Sequence, residues 1–249
     1  MQAIADVHAA QEALARLFSA HERVVFFGGA GVSTASGIPD FRSVDGLYHQ
    51  KFAYPPETML SHEFYRTHRA EFFDFYRTKM IALDAQPNQA HIKLAQLEAE
   101  GKLLSVVTQN IDGLHQAAGS KRVWELHGSA HRNICQRCGA VYGARWIMAR
   151  EHEDAHGIPV CPACGGNIKP DVVLYGESLD ERVLQGAVSD IARADALIIG
   201  GTSLVVYPAA GLVSYFKGDE LAIVNRDPTP QDSQADLLIS CDIAQAFAF

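Results

Sequence analysis

A chain of 249 residues, 48% apolar and 20% charged, is long enough for one large α/β domain with a smaller one embedded in it, and is ordinary for a soluble globular protein. Its net charge of -8 disfavours a nucleic-acid or anionic-membrane partner and mildly favours basic ones, such as lysine-bearing protein segments. No run of about eighteen apolar residues is present to span a membrane. The opening twenty residues carry Asp6, Glu12 and Arg16 and do not read as a signal peptide, so a cytoplasmic location is expected.

Ile4, Val7, Leu14, Leu17 and Phe18 fall on one face of a helix ahead of the first strand. Residues 24–27, β-branched then aromatic, read as a buried strand of a parallel sheet. Gly28, Gly29 and Gly31 follow, where the backbone must turn sharply and let something approach closely. A strand running into glycines suggests phosphate cradled by backbone N–H groups at a helix N-terminus. The usual dinucleotide fingerprint, however, wants a glycine where this chain has Thr34. Residues 36–42 then pack a turn, an acid, an aromatic ring and an arginine into one loop that is costly to order without a ligand. Residues 46–48 and 54–56 read as irregular. From 57 to about 83 the pattern is helical and crowded with Phe64, Tyr65, Phe72, Phe73, Phe75 and Tyr76, most of them core and some lining a pocket. Pro87-Asn88 opens another helix, with Ile92, Ala95 and Leu97 inward and Gly101 as its stop.

Residues 103–107 form the next buried strand, and the polar cluster Thr108-Gln109-Asn110-Ile111-Asp112 sits at its carboxyl end, where open α/β sheets bind ligands. A short strand at 123–126 ends at His127-Gly128, a histidine placed for catalysis beside a residue that clears space. The sheet resumes at 171–177, and Ser178-x-x-Glu181 matches a capping box for a helix burying Val183, Leu184, Ala187, Val188 and Ile191. Residues 196–199 lead into Gly200-Gly201-Thr202-Ser203, a second glycine-and-hydroxyl turn. Pro208 suits the first turn of a further helix. Strands at 221–224, ending at Asn225, and at 237–241 complete the chain.

Four of the five cysteines form the pairs Cys135-x-x-Cys138 and Cys161-x-x-Cys164, whose spacing fits a four-cysteine zinc ribbon. Disulfides are the alternative, but nothing indicates export. Cys241 reads as a buried small residue.

The run Gly-Ala-Gly-Val-Ser-x-x-Ser-Gly-Ile-Pro-Asp-Phe-Arg-Ser at 29–43 resembles the cofactor loop of the sirtuins, the NAD-dependent protein-lysine deacylases. Thr-Gln-Asn-Ile-Asp-Gly-Leu-His at 108–115, His127-Gly128, both cysteine pairs, Gly-Thr-Ser-Leu at 201–204 and Asn225 match in the same order, and the glycine pattern is most similar to the bacterial members. The fold class this implies is α/β: a doubly wound parallel (Rossmann-like) sheet built from 1–42, 87–128 and 170–249. A smaller domain would be inserted, made of a helical segment at 43–86 and the zinc-ribbon module at 129–169.

The implied reaction hydrolyses an acyl-lysine amide at the expense of NAD, giving nicotinamide, free lysine and O-acyl-ADP-ribose. By the resemblance, Gly29, Ala30, Gly31 and Thr34 would serve the pyrophosphate, and Asp40, Phe41 and Arg42 would order around the nicotinamide ribose. Asn110 and Asp112, with Ile111, would hold the nicotinamide end, and Gln109 the ribose hydroxyls. His127 would deprotonate a ribose hydroxyl, and Gly201, Thr202, Ser203, Asn225 and Asp242 would hold the adenosine half. The peptide would add as a strand between Val172, Val173 and Leu174 on one side and Val205, Val206 and Tyr207 on the other, with Tyr76 in the acyl pocket. One structural Zn2+ would sit on Cys135, Cys138, Cys161 and Cys164, because four thiolates leave no open position.

Three alternatives stand beside this reading. Within the family, some members transfer ADP-ribose to proteins or remove other acyl groups. An NAD(H) oxidoreductase with structural zinc would want the missing third glycine and an acid about 20 residues further on. A zinc-ribbon nucleic-acid binder is opposed by the acidic balance, and the basic residues of the ribbon are partly offset by Glu151, Glu153 and Asp154.

Overall fold

The computed structural model describes residues 3–43 and 46–249; residues 44 and 45, inside the expected helical insertion, and residues 1 and 2 lie outside that description. Six strands form a parallel sheet: β1 (Val24–Gly28), β2 (Leu103–Thr108), β3 (Val123–Glu125), β7 (Ala196–Gly200), β8 (Glu220–Val224) and β9 (Leu237–Ile239). Their spatial order is β3-β2-β1-β7-β8-β9, with every pairing parallel. In chain order this is the 3-2-1-4-5-6 arrangement, whose direction reverses between β1 and β7. Both faces are covered, so β1 and β7 carry apolar residues at successive positions without polar alternation. Val24, Phe26, Val106 and Ile198 pack under the helices Val7–Ala20 and Gln89–Ala99, while Val25, Phe27, Val107 and Ile199 pack under the helix Glu181–Arg193.

The remaining strands, β4 (Gly128–Cys135), β5 (Val141–Tyr142) and β6 (Ile168–Val172), make a separate antiparallel sheet in the order β5-β4-β6. Here the sequence reading needs correcting. The segment expected to resume the parallel sheet at 171 instead ends β6, with Gly128 opposite Val172 and Ser129 opposite Asp171. Beyond Val172 the chain is tied to the helical insertion, where Tyr175 donates its N–H to Leu60 O and accepts from His62 N.

Local capping explains the other departures. Ile4 precedes the first helix and bridges to Ile239, because Asp6 caps that helix by accepting from Ala9 N. The helical stretch from 57 breaks into Pro56–Met59, His62–Thr67 and Arg69–Phe75, the second started by the Ser61 cap, and ends in a π turn at Tyr76–Met80. All six of its aromatic rings are buried in one cluster with Val172 and Leu174. In the helix Gln89–Ala99 the capping box is Asn88 with His91, which turns His91 inward and leaves Ile92 exposed. The helix at 181 is capped by Asp180, not by Ser178.

Candidate active site

The reversal between β1 and β7 places two glycine turns side by side at the carboxyl ends of the strands, with Gly28 opposite Gly200. The turns hold each other. Gly31 N–H donates to Gly201 O at 2.8 Å, and a Cβ on Gly31 would lie 2.9 Å from the Gly201 Cα. Gly201 itself has φ +58 and would put a Cβ 2.4 Å from Val32 N. What approaches the first glycine turn is therefore the second one, and the bare backbone they share forms one wall of a cleft of about 520 Å³. No α-helix starts here; two short 3-10 turns, Ala30–Val32 and Thr34–Ser36, take its place.

Every residue assigned a cofactor role lines this cleft except Thr34, whose hydroxyl donates back to Gly31 O at 3.1 Å. On the peptide side Tyr76, Val172, Val173, Leu174, Val206 and Tyr207 line it and Val205 does not. The ends of β2 and β3 supply the polar floor. Asn110 Nδ2 donates to Ser33 Oγ at 3.1 Å, and Ser33 Oγ donates to Asp112 Oδ2 at 2.6 Å. Asp112 Oδ1 accepts from Leu114 N at 2.9 Å, which sets the turn that follows. Ser33 belongs to the sirtuin-like run at 29–43, but the sequence reading gives it no role. The loop it belongs to is also held by Asn88, whose amide donates to Val32 O and Ser36 Oγ.

His127 lies at the end of β3 with Nδ1 3.0 Å from Gln109 O. A carbonyl oxygen can only accept, so Nδ1 carries the proton and Nε2 keeps the lone pair. Burial lowers the His127 pKa from its ordinary value, and the bond to the Gln109 carbonyl offsets part of that. The ring is neutral at pH 7 and suited to accept a proton. On the far side Gln109 Nε2 donates to Thr202 Oγ1 at 3.0 Å, joining the β2 and β7 ends. Asn225 Nδ2 donates to Asp227 O, and Asp242 Oδ1 caps the helix Ile243–Ala246.

The four cysteine Sγ atoms lie within 4.8 Å of one another, with Cys135 to Cys164 at 3.5 Å and Cys138 to Cys161 at 3.7 Å. A tetrahedral zinc with Zn–S near 2.3 Å requires sulfur separations of about 3.8 Å, so the donor set fits that ion and fills its shell. Tyr142 Oη, 3.0 Å from Cys161 Sγ, draws the pKa of that thiol down, whereas burial pushes the Cys164 thiol up to about 12, so the fit to zinc rests on the sulfur geometry. Ile147 and Ile168 pack around Cys135 and Cys161, away from the cleft floor.

Behind the floor lies a pair of buried histidines. His91 and His115 have ring centroids 4.7 Å apart, and burial lowers both pKa values. The unfolded chain binds these protons near pH 6.5 while the folded chain refuses them, so stability rises with pH in that range. The melting temperature is expected to climb from pH 5 to pH 7, less steeply in His115→Leu. A flat wild-type profile would refute this.

A model of the Sir2 family matches residues 29–208. The chain belongs to the Sir2 family. Among curated Sir2-type relatives, an NAD-dependent protein deacetylase of Clostridium acetobutylicum is 56% identical over 234 residues, covering 93% of this chain and 94% of the relative. One of Staphylococcus aureus is 44% identical, with 93% and 94% covered. Solved Sir2 structures superpose closely. One with a p53 peptide and NAD+ has a TM-score of 0.84 at 38% identity, and one with deacetylated p53 peptide and 3'-O-acetyl ADP-ribose has 0.86 at 37%, each covering 95% of both chains. The Sir2 match spans the glycine turns, the Asn110–Ser33–Asp112 chain, His127 and all four cysteines.

Proposed function

We infer that this protein is an NAD-dependent protein-lysine deacetylase that releases nicotinamide, O-acetyl-ADP-ribose and free lysine and carries one structural zinc. The observation that supports it most is His127, neutral and with its tautomer set by Gln109 O, beside the Asn110–Ser33–Asp112 chain. When bound, NAD supplies an ADP-ribosyl group that leaves nicotinamide and takes over the acyl group. Asn110 and Asp112, pre-oriented through Ser33, would bind the nicotinamide end, and the bare wall of Gly29, Ala30 and Gly31 would admit the pyrophosphate. Phe41, whose ring meets Tyr48 edge-on at 5.7 Å, would shield the reacting sugar from water. His127 Nε2 would take a proton from a sugar hydroxyl. Thr202, Ser203, Asn225 and Asp242 would hold the adenosine half.

The division into 1–42, 87–128 and 170–249 against 43–86 and 129–169 belongs to the same proposal, with the antiparallel pairing to Val172 favouring a slightly later return to the large domain. The acidic net charge supports lysine-bearing protein segments over nucleic acid as partners. Among the described residues no helix is long and apolar enough to cross a membrane, and a cytoplasmic setting is part of the proposal. The test is one incubation with NAD and an acetyl-lysine peptide, read by mass spectrometry. Nicotinamide release that requires the peptide and yields deacetylated product is expected. NADH formation, or ADP-ribose attached to protein with the acetyl group retained, would overturn it.

The acyl pocket supports acetyl over succinyl. Arg77 is buried toward the zinc module, with Nε donating to Ile147 O and an ion pair to Glu153 at 2.6 Å, so its guanidinium is not turned to a substrate carboxylate. Lys79, at the cleft margin, donates to Gln50 Oε1. A lysine is a hydrated point charge without the planar fork that grips a carboxylate, so kcat/KM should favour acetyl-lysine by about ten- to a hundredfold. Lys79→Arg should narrow the gap. Equal wild-type rates on matched peptides would sink this expectation.

A further inference from the structure

Asn88 opens the helix Gln89–Ala99, and both ends of its side-chain amide are engaged. Oδ1 accepts from Ala90 N at 3.0 Å, which caps the helix. Nδ2 spends its two hydrogens on the glycine-turn segment, donating to Val32 O at 2.8 Å and to Ser36 Oγ at 3.0 Å. The backbone N–H of Asn88 donates to Nδ1 of the buried His91 at 3.3 Å. Ala90 and Leu94, just inside the helix, pack in the same core cluster as Val32 and Val106. The helix therefore fixes the Asn88 side chain, which does not itself line the cleft.

The two amide bonds hold the run that leads to Asp40, Phe41 and Arg42. Ser33, next to one acceptor and three residues before the other, is bound from the cleft floor by Asn110 and Asp112. Beyond Ser33 the support thins. Among the described residues, the bond from Asn88 to Ser36 is the only one from outside 29–43 that reaches residues 34–39. Packing does not replace it at the bend, since Gly37 has φ +83 and no atom within 4 Å of a Cβ built there. The Ser36 bond thus sets where the chain leaves the 3-10 turn Thr34–Ser36 on its way to the Asp40–Arg42 loop. Without it, the turn keeps only its own short-range bonds, Ser36 N to Ser33 O and Gly37 N to Thr34 O, which fray easily.

We propose that Asn88 is a positioning residue for the cofactor: by donating to Val32 O and Ser36 Oγ it aims the loop that carries Asp40, Phe41 and Arg42 into the cleft. This rests on the NAD reading of the cleft, and the test separates the two. Asn88→Ser keeps a capping oxygen but is too short to bridge to the turn. Asn88→Asp keeps the cap and has no amide donor, and Asn88→Ala loses both functions. With no ligand present, amide hydrogen exchange over 33–38 should speed up about tenfold in all three variants, while the melting temperature falls clearly only in Asn88→Ala. In turnover with NAD and an acetyl-lysine peptide, Asn88→Ser should raise the NAD KM about tenfold and leave the peptide KM within about twofold. Unchanged exchange in Asn88→Ser and Asn88→Asp overturns the clamp whatever the cleft proves to bind. Faster exchange with the NAD KM unmoved, or with both KM values rising together, shows a merely structural residue and overturns the positioning role.

Discussion

Replacing His127 with alanine is expected to lower deacetylation turnover by about 10²–10⁴-fold while leaving the melting temperature and NAD binding nearly unchanged. The ring makes a single recorded hydrogen bond, to Gln109 O, and sits at the end of a strand whose register is set by β2. Its removal therefore deletes a proton acceptor without cutting a buried network. A pH profile adds a second check. As the proposed base, the ring would act in its neutral form, and burial lowers its pKa, so the acid limb of kcat/KM should fall below the ordinary histidine value of about 6.5. Retention of more than about a tenth of wild-type kcat in the alanine variant would remove His127 from the mechanism.

Loss of the metal is expected to abolish activity without any ligand touching substrate. In Cys135→Ala the purified protein should lack zinc, and the melting temperature should drop by about 10 °C, corresponding to a few kcal/mol in a chain of this size. Turnover should fall with it. The route is mechanical: Cys135 ends β4 opposite Ile168 of β6, and β6 runs through Val172 to Val173, whose N–H donates to His127 O. Slackening that sheet frees both the 172–174 edge and the strand end that carries His127, the two elements the proposed reaction relies on. Metal analysis showing no zinc in reduced wild-type protein, or a variant that melts like wild type, contradicts this account.

The cleft was legible in large part because its residues lie within a few positions of strand ends, and strands are marked by short apolar runs that hold whatever packs against them. Gln109, Asn110, Asp112 and His127 stand out on that ground, and the roles proposed for them come from the resemblance to the sirtuins. Ser33 lies within the sirtuin-like run but its role could not be read there, because a serine beside a glycine turn looks the same whether it faces water or bridges Asn110 and Asp112.

The amino-acid sequence by itself determined the parallel α/β class, the glycine turns, the four-cysteine cluster and the resemblance to the sirtuins, since each depends on residue type and short spacing. Tertiary structure alone decided which strands pair and what the glycines are for. Residues 172–174 are as apolar as a core strand, yet Val172 closes an antiparallel sheet because β4 is the neighbour whose backbone groups it meets. Gly31 and Gly201, 170 positions apart in the numbering, require one another because their backbones touch at 2.8 Å. Contacts of that kind are set by how the sheet closes on itself, and local propensity carries no trace of them.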